Sequence, residues 1–497
     1  MTWAGAAELP RSATALRAAI ARTDITVAES IARRYVATHP EDRDGWTVLL
    51  DCVEQTGNPP ETVRVARLAL ERFADLPRAR LLLAGAVAQA GRLDEAAGLL
   101  SGRQLTAEEA LLLAELALVV DPDEARRLFA EIVRAAPTHP VAALGLRSAT
   151  GLAAGSPRGA AIALLLAEDW HGWIQASIAD AFDQAGVPYL AVTRPWLLAH
   201  HRPRVIVLSG PSPPLVQRLR LLVPDARLVN TRHSLTVTGK NYGLYAACAC
   251  DHVCVSSESQ ALRTRDLALL PEERVWVTGY PQMDGLFRRL RAEPRRLPGR
   301  RVVFAPTYNP ELSAAFLVGD DPVTAIRAAD ESIGVVLAPH PLLRRFAPAM
   351  LAAWRRTAAE RPGVVFHDPT AGNLVATLAD ADVVVSDVSA VAIQFLATDR
   401  PIVRLVDPAR ARTTPAFSLD GEEWELATAA TTVERGADLA AAVRGALDGA
   451  EPPPAAAGRA RLRERLFGSL TDGRAGERIA ERIAGLVAGG RPHGGDA

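Results

Sequence analysis

The chain changes its hydrophobic period once, between residues 150 and 160. Before that point apolar residues recur three and four positions apart, the spacing of amphipathic helices, and no strand-like run interrupts them. From Ala160 onward, short continuous apolar runs alternate with amphipathic stretches. The runs fall at 161–167, 205–208, 227–229, 253–255 and 275–277, then at 302–304, 335–337, 364–366, 383–385 and 402–406. Strand–helix alternation of this kind predicts parallel sheets covered by helices. An Arg- and Pro-rich stretch at 288–301 divides the ten runs into two groups of five. The expected architecture is therefore an α-solenoid followed by two Rossmann-like, doubly wound α/β domains, with a ligand cleft between the two.

Within the helical part, four segments look alike: 24–37, 58–73, 92–100 and 122–135. The small residue near the start of each, Ala28, Thr62, Ala96 and Ala125, recurs at steps of 34, 34 and 29 residues. That period, with turn signals at Thr56-Gly57-Asn58 and Ala90-Gly91-Arg92, resembles the tetratricopeptide repeat. Such helix pairs bury their apolar faces only by stacking, which predicts a right-handed solenoid. Its surface would hold a protein partner or an acceptor, or serve only as a structural extension. The domain plan is 1–150 for the repeats, a linker at 153–158, 158–290 and 300–450 for the two α/β domains, 455–488 for C-terminal helices, and a disordered tail at 489–497.

Composition narrows the function classes. Hydrophobic residues make up 49% and charged residues 23% of 497, ordinary for a globular protein. Lys and Arg (56) nearly balance Asp and Glu (57), so no global charge draws the chain to nucleic acid. The first ten residues lack the apolar core of a signal segment, and the run at 160–167 is far short of the roughly 18 residues of a spanning helix. The expected location is cytoplasmic, with peripheral contact at the inner membrane face left open. Cys248, Cys250, His252 and Cys254 have the residue types of a metal site. However, 251–256 reads as a strand, which sends alternate residues to opposite faces, so structural buried thiols are expected and no metal. The arginines at 288, 289, 291, 295, 296, 300 and 301 read as a solvated interdomain linker rather than a polyanion site.

Candidate chemistry gathers after the strands. The motifs are His233-Ser234-Leu235 with Lys240, Gly279-Tyr280-Pro281-Gln282-Met283-Asp284, Ala305-Pro306-Thr307-Tyr308, Pro339-His340-Pro341, and Asp382 to Ala390 with Ser386, Asp387 and Ser389. In open α/β sheets ligands bind beyond the carboxyl ends of strands. Histidines there can take or give a proton near neutral pH, and hydroxyls beside a helix start can cradle phosphate. Asp284 is also a normal turn and cap residue. Trp170, His171, Trp173, Tyr189 and Trp196 cluster after the first strand, where core packing accounts for most and His171 lies where an acceptor could enter.

In order and spacing, these motifs resemble the CDP-glycerol glycerophosphotransferase family over roughly residues 160–450. The family pattern is His-Gly then Lys, Gly-Tyr-Pro-Arg-x-Asp, Pro-Thr-Trp, a basic residue before x-His-Pro, and Thr-Asp-Tyr-Ser-Ser. Here Ser234, Gln282, Tyr308, Ala338, Val388 and Ala390 depart from it. The resemblance implies a GT-B-type fold and transfer of glycerol phosphate, or a related polyol phosphate, from a CDP-alcohol to an acceptor hydroxyl. It implies His233 as base and His340 as the diphosphate-side histidine, with Thr307, Ser386, Asp387, Ser389, Asp284 and Lys240 on the donor. CDP-glycerol is the expected donor, a polyol-phosphate, glycan or lipid-linked chain the acceptor, and no cofactor is implied. Two other readings stay open: a nucleotide-sugar glycosyltransferase of the same architecture, and a non-catalytic repeat scaffold with a degenerate transferase half.

Overall fold

The computed structural model describes residues 10–489 except 21–23, 155–159, 169, 236–242, 293–298, 319–320, 369–371 and 410–420. It divides into two compact units, residues 1–135 and 136–497.

The described part of the first unit is helical: α1 (Ala13–Ile20), α2 (Ile25–Thr38), α3 (Arg43–Gln55), α4 (Pro59–Arg72), α5 (Pro77–Gln89), α6 (Leu93–Leu100), α7 (Ala107–Val120) and α8 (Pro122–Ala135). Start signals are local. Asp42 and Asn58 accept backbone N–H groups at the starts of α3 and α4, and Thr106 forms a capping box with Glu109 on α7. Successive helices pack as α2 on α3, α4 on α5 and α7 on α8. The periodic small residues Ala28, Thr62, Ala96 and Ala125 are all buried, because a larger side chain there would hold neighbouring helices apart. A buried Arg80–Glu109 pair at 2.7 Å ties α5 to α7.

The second unit starts earlier than residue 150. Helix α9 (Pro140–Ala153), expected to end the repeats, belongs to it. Ser148 on α9 accepts the Ala191 N–H (3.1 Å) and donates to the Tyr189 carbonyl (2.9 Å), so the helix covers the edge of the first sheet. That sheet has six parallel strands in the order β2-β1-β3-β4-β5-β6: β1 (Ile162–Leu165), β2 (Leu190–Val192), β3 (Val205–Leu208), β4 (Arg227–Asn230), β5 (His252–Val255) and β6 (Val275–Val277). The second sheet is also parallel, ordered β12-β11-β10-β7-β8-β9, from β7 (Arg301–Ala305), β8 (Gly334–Leu337), β9 (Val364–Phe366), β10 (Val383–Ser386), β11 (Ile402–Leu405) and β12 (Thr431–Val433). Two edge strands, β2 and β12, are additions to the ten expected.

The second sheet shows why its strands read as unbroken apolar runs. Val302, Phe304, Val383 and Val385 face one buried cluster, while Val303, Ala305 and Val384 face another. Both faces are covered, so both parities are apolar. In this sheet the strand order reverses between β7 and β10; in the first it does so between β1 and β3. Ligand crevices form at such switch points.

The Arg-rich break is not one linker. Arg288, Arg289 and Arg291 end the helix Asp284–Ala292, and Arg301 opens β7. Arg289 pairs with Asp380 (3.3 Å) and Arg300 with Asp448 (2.8 Å), while 295 and 296 lie outside the described residues. Cys52, Cys250 and Cys254 are buried; Cys248 is exposed, against expectation, because it lies on the helix Gly243–Ala249 before the strand. Most residues of the linker at 153–158 and nearly all of the tail also lie outside the described set. Among the described residues no helix is long and apolar enough to cross a membrane.

The C-terminal helices return to the first sheet. On the helix Pro453–Phe467, Leu462, Leu466 and Phe467 join the core that also holds Met283 and Phe287. The Ser256 and Ser257 hydroxyls donate to the Leu466 and Arg465 carbonyls. The helix Ala475–Ala488 packs on α10 (His171–Gln184).

Candidate active site

A cavity of about 460 Å³ lies where the two switch points face each other. Its first-sheet wall includes His171, Gly210, His233 and Ser234; its second-sheet wall includes Thr307, Tyr308, His340 and Ser389.

The loops of the first wall are fastened by uncharged side chains. Asn230, the last residue of β4, accepts the N–H of Gly210 (3.2 Å) and of Arg232 (2.9 Å) through one oxygen. It thereby ties the loop after β3 to the loop that carries His233. Behind it, Gln175 on α10 donates to the Leu165 carbonyl (3.2 Å) and the Ser209 hydroxyl (3.1 Å). Ser209 in turn meets Thr231 at 3.2 Å. Gly210 has φ +66°, and a Cβ there would sit 1.9 Å from Nδ1 of His233. Glycine is thus required twice at this position, for backbone and for space.

The second wall is organised by one carboxylate. Asp387 is fully buried and accepts the N–H of Thr307 (2.9 Å) and of Ala314 (2.8 Å), so the loop after β7 is held to the end of β10. Burial pushes its acid up to about 7, against those N–H groups and the nearby Arg404 guanidinium. Arg404 is itself buried and pushed down to about 10, with its guanidinium 5.6 Å from the Trp424 ring centre. The Leu342 N–H donates to Nδ1 of His340 at 3.1 Å. Nδ1 is therefore an acceptor, and a neutral His340 carries its proton on Nε2. The Tyr308 ring packs against it at 4.9 Å.

Of the residues picked from the sequence, His233, His340, Thr307 and Ser389 come together around the cavity. Ser389 also caps the short helix Ala390–Phe395 by accepting the Val391 N–H. Three others need correction, since none of them lines the cavity. Ser386 is fully buried, its hydroxyl spent on the Ala305 carbonyl at 2.5 Å. Asp387 is buried and holds the two loops through the Thr307 and Ala314 N–H groups. Asp284 is 2% exposed and accepts the Ala475 (2.9 Å) and Gly476 (2.8 Å) N–H groups, capping the last helix. Burial raises its acid, while those two N–H groups oppose the shift. Lys240 lies outside the described residues.

Sequence reasoning missed Gly210, Asn230, Thr231, Ser209, Gln175 and Arg404. Ser209-Gly210 directly follows a called strand, and Asn230-Thr231 stands between a strand and His233, so position alone could have flagged them. Nothing local signals Gln175 or Arg404. Tyr189 and Trp196 are core, whereas Trp170 and Trp173 line the cavity. Gln282, which stands where the resembling pattern has Arg, lines it too and accepts from Tyr280 (2.8 Å) and Gln394 (3.3 Å). Among the described lining residues there is no Lys or Arg.

Two parallel sheets that bring histidines from both sides to one cavity define an α/β protein with a ligand cleft between its sheets. Residues 229–485, just over half of the chain, match the family of CDP-glycerol:poly(glycerophosphate) glycerophosphotransferases. The chain belongs to this family and is a transferase. Similar solved structures include the wall teichoic acid polymerase TagF, at 12% identity and TM-score 0.49, covering 69% of this chain and 93% of that one. An O-GlcNAc transferase variant from Thermobaculum terrenum aligns at 14% identity and TM-score 0.34, covering 98% of each chain. UDP-GlcNAc 2-epimerase from Neisseria meningitidis, bound to UDP-GlcNAc, aligns at 11% identity and TM-score 0.41 over 65% of this chain and 99% of that one. No curated protein matches the chain.

Proposed function

We propose that the protein transfers glycerol phosphate from CDP-glycerol to an acceptor hydroxyl in the synthesis of a teichoic-acid-like cell-envelope polymer, on a GT-B-type pair of domains. The observation that carries this reading is that His233 and His340 reach one cavity from opposite sheets, inside the region that matches the family.

In this reaction His233 takes the proton of the acceptor hydroxyl as its oxygen attacks the β-phosphorus of the donor. The bond between that phosphorus and the bridging oxygen breaks, and CMP leaves with the electron pair. Nε2–H of His340 donates to a diphosphate oxygen or protonates the departing CMP. Transfer of this type is mostly positioning and charge stabilisation, which suits fixed neutral donors in an enclosed cleft. Thr307 and Ser389 supply hydroxyls to the phosphates, and Lys240 is assigned the cationic contact that the described lining lacks. The reading places the reaction in the cytoplasm at the inner membrane face, with a polyol-phosphate, glycan or lipid-linked acceptor. The helical unit is read as a tetratricopeptide-type solenoid that docks a protein partner or the growing acceptor; buried small residues at repeat spacing support this.

The test is CMP release from CDP-glycerol by the full chain with glycerol as acceptor. His233→Ala and His340→Ala should each lower kcat by about 10²- to 10⁴-fold. Turnover of a UDP-sugar in place of CDP-glycerol would transfer the site to glycosyl chemistry. Inertness to both donors would sink the enzymatic reading.

A further inference from the structure

His171 opens α10 and lines the same cavity as His233, yet the reaction above gives it no role. The side chain is 7% exposed, and its Nδ1 is buried with no hydrogen-bond partner. A buried N–H without an acceptor is rarer and costlier than a bare ring nitrogen, so a neutral ring keeps its proton on Nε2. Burial, and then the charge of His233, push the imidazole down to about 3, so it is neutral throughout the working range. The backbone that carries it is closely packed. A Cβ at the next residue, Gly172, would stand 2.7 Å from Cβ of Pro140 on α9, so the first turn of α10 is wedged against its neighbour. Trp170, Trp173 and Leu215 give this side of the cavity apolar walls, and Glu168 adds a negative charge.

These features describe a subsite for an uncharged polyol. The carbon skeleton lies along tryptophan and leucine, and one neutral donor meets a hydroxyl oxygen. That hydroxyl is not the attacking one, because a bond donated to the attacking oxygen would draw off the electron pair it needs. On the reading of function given above, we propose that His171 is a substrate-contacting residue of the acceptor subsite, donating from Nε2 to the second hydroxyl of a vicinal diol whose first hydroxyl faces His233. Specificity for a diol over a simple alcohol would then reside in His171, since a site built to bond a hydroxyl discriminates against the analogue that lacks it.

The experiment compares glycerol with propan-1-ol as acceptors, using CDP-glycerol and the full chain carrying His171→Phe or His171→Gln. The glutamine keeps an N–H donor at similar reach. His171→Phe should lower kcat/KM for glycerol by about tenfold, the worth of one lost hydrogen bond. It should leave propan-1-ol transfer, the KM for CDP-glycerol and CMP release into water within twofold, and His171→Gln should restore most of the glycerol preference. An equal fall with both alcohols, or an unchanged preference, overturns the proposal and makes His171 a packing residue. Should the phenylalanine variant fail to fold, loss of glycerol preference in the glutamine variant at an unchanged CDP-glycerol KM decides against the N–H donor as the determinant. A wild-type chain inert to CDP-glycerol with glycerol, propan-1-ol and water alike defeats the functional reading, and this inference falls with it. Turnover without diol preference defeats the inference alone.

Discussion

The two sheets present their loops to one cavity by opposite means. On the first, neutral amides and hydroxyls of Gln175, Ser209, Asn230 and Thr231 fasten the loop that carries His233. On the second, a single buried carboxylate, Asp387, fastens the Thr307 loop, with Arg404 behind it. The difference matches the roles proposed above, a base on the first wall and diphosphate contacts on the second. A buried charge balanced by N–H groups gives the second loop a stiff anchor, at the cost of depending on one residue.

Breaking that anchor should have the largest effect. Asp387→Ala orphans two buried N–H groups and leaves Arg404 uncompensated, so urea unfolding of the second unit should lose about 3–5 kcal/mol. A loss below about 1 kcal/mol would show that the two walls are not built differently. Next comes Gly210→Ala on the neutral wall. The added methyl would overlap Nδ1 of His233, and displacing a reacting group by about 1 Å costs on the order of 10²-fold in rate. Activity should fall by that factor while CDP-glycerol binding, read by thermal shift, is retained; loss of donor binding instead would mean that His233 serves the donor.

The smallest effect is a pH dependence. His171 is held near 3 in the folded chain against an ordinary value near 6.5. Between those values the unfolded chain binds a proton that the folded chain does not, so this residue makes stability fall as pH drops through that window. In His171→Phe the melting temperature should decline less steeply from pH 7 to pH 5 than in the wild type. Parallel slopes would mean that His171 titrates normally and is not desolvated.

Much of this architecture was legible because burial leaves a mark on the local pattern. Central parallel strands such as 302–304 and 383–385 are covered on both faces, so every position is apolar. The short edge strands β2 and β12 carried too little of that mark: the first is three residues among aromatics, and the second, Thr-Thr-Val, is partly exposed. Within the site, His233, His340, Thr307 and Ser389 were legible because each directly follows a strand. Ser386 and Asp387, at the end of β10, and Asp284, at the start of the helix that follows β6, stand in similar surroundings, yet their side chains turn inward to backbone groups. Strand-end position alone does not separate a ligand contact from a loop anchor.

The sequence by itself determined the helical character of the first part, the succession of strands and helices, and the family, because these depend on periodicity and on motifs read in order. Only the tertiary structure decided that α9 covers a sheet edge, that the last helix crosses back to be capped by Asp284 nearly two hundred residues earlier, and that His171 and His233 line one cavity. Those are contacts between segments far apart in the chain. Their free energy comes from which buried donors find which acceptors, and no local pattern encodes the partner.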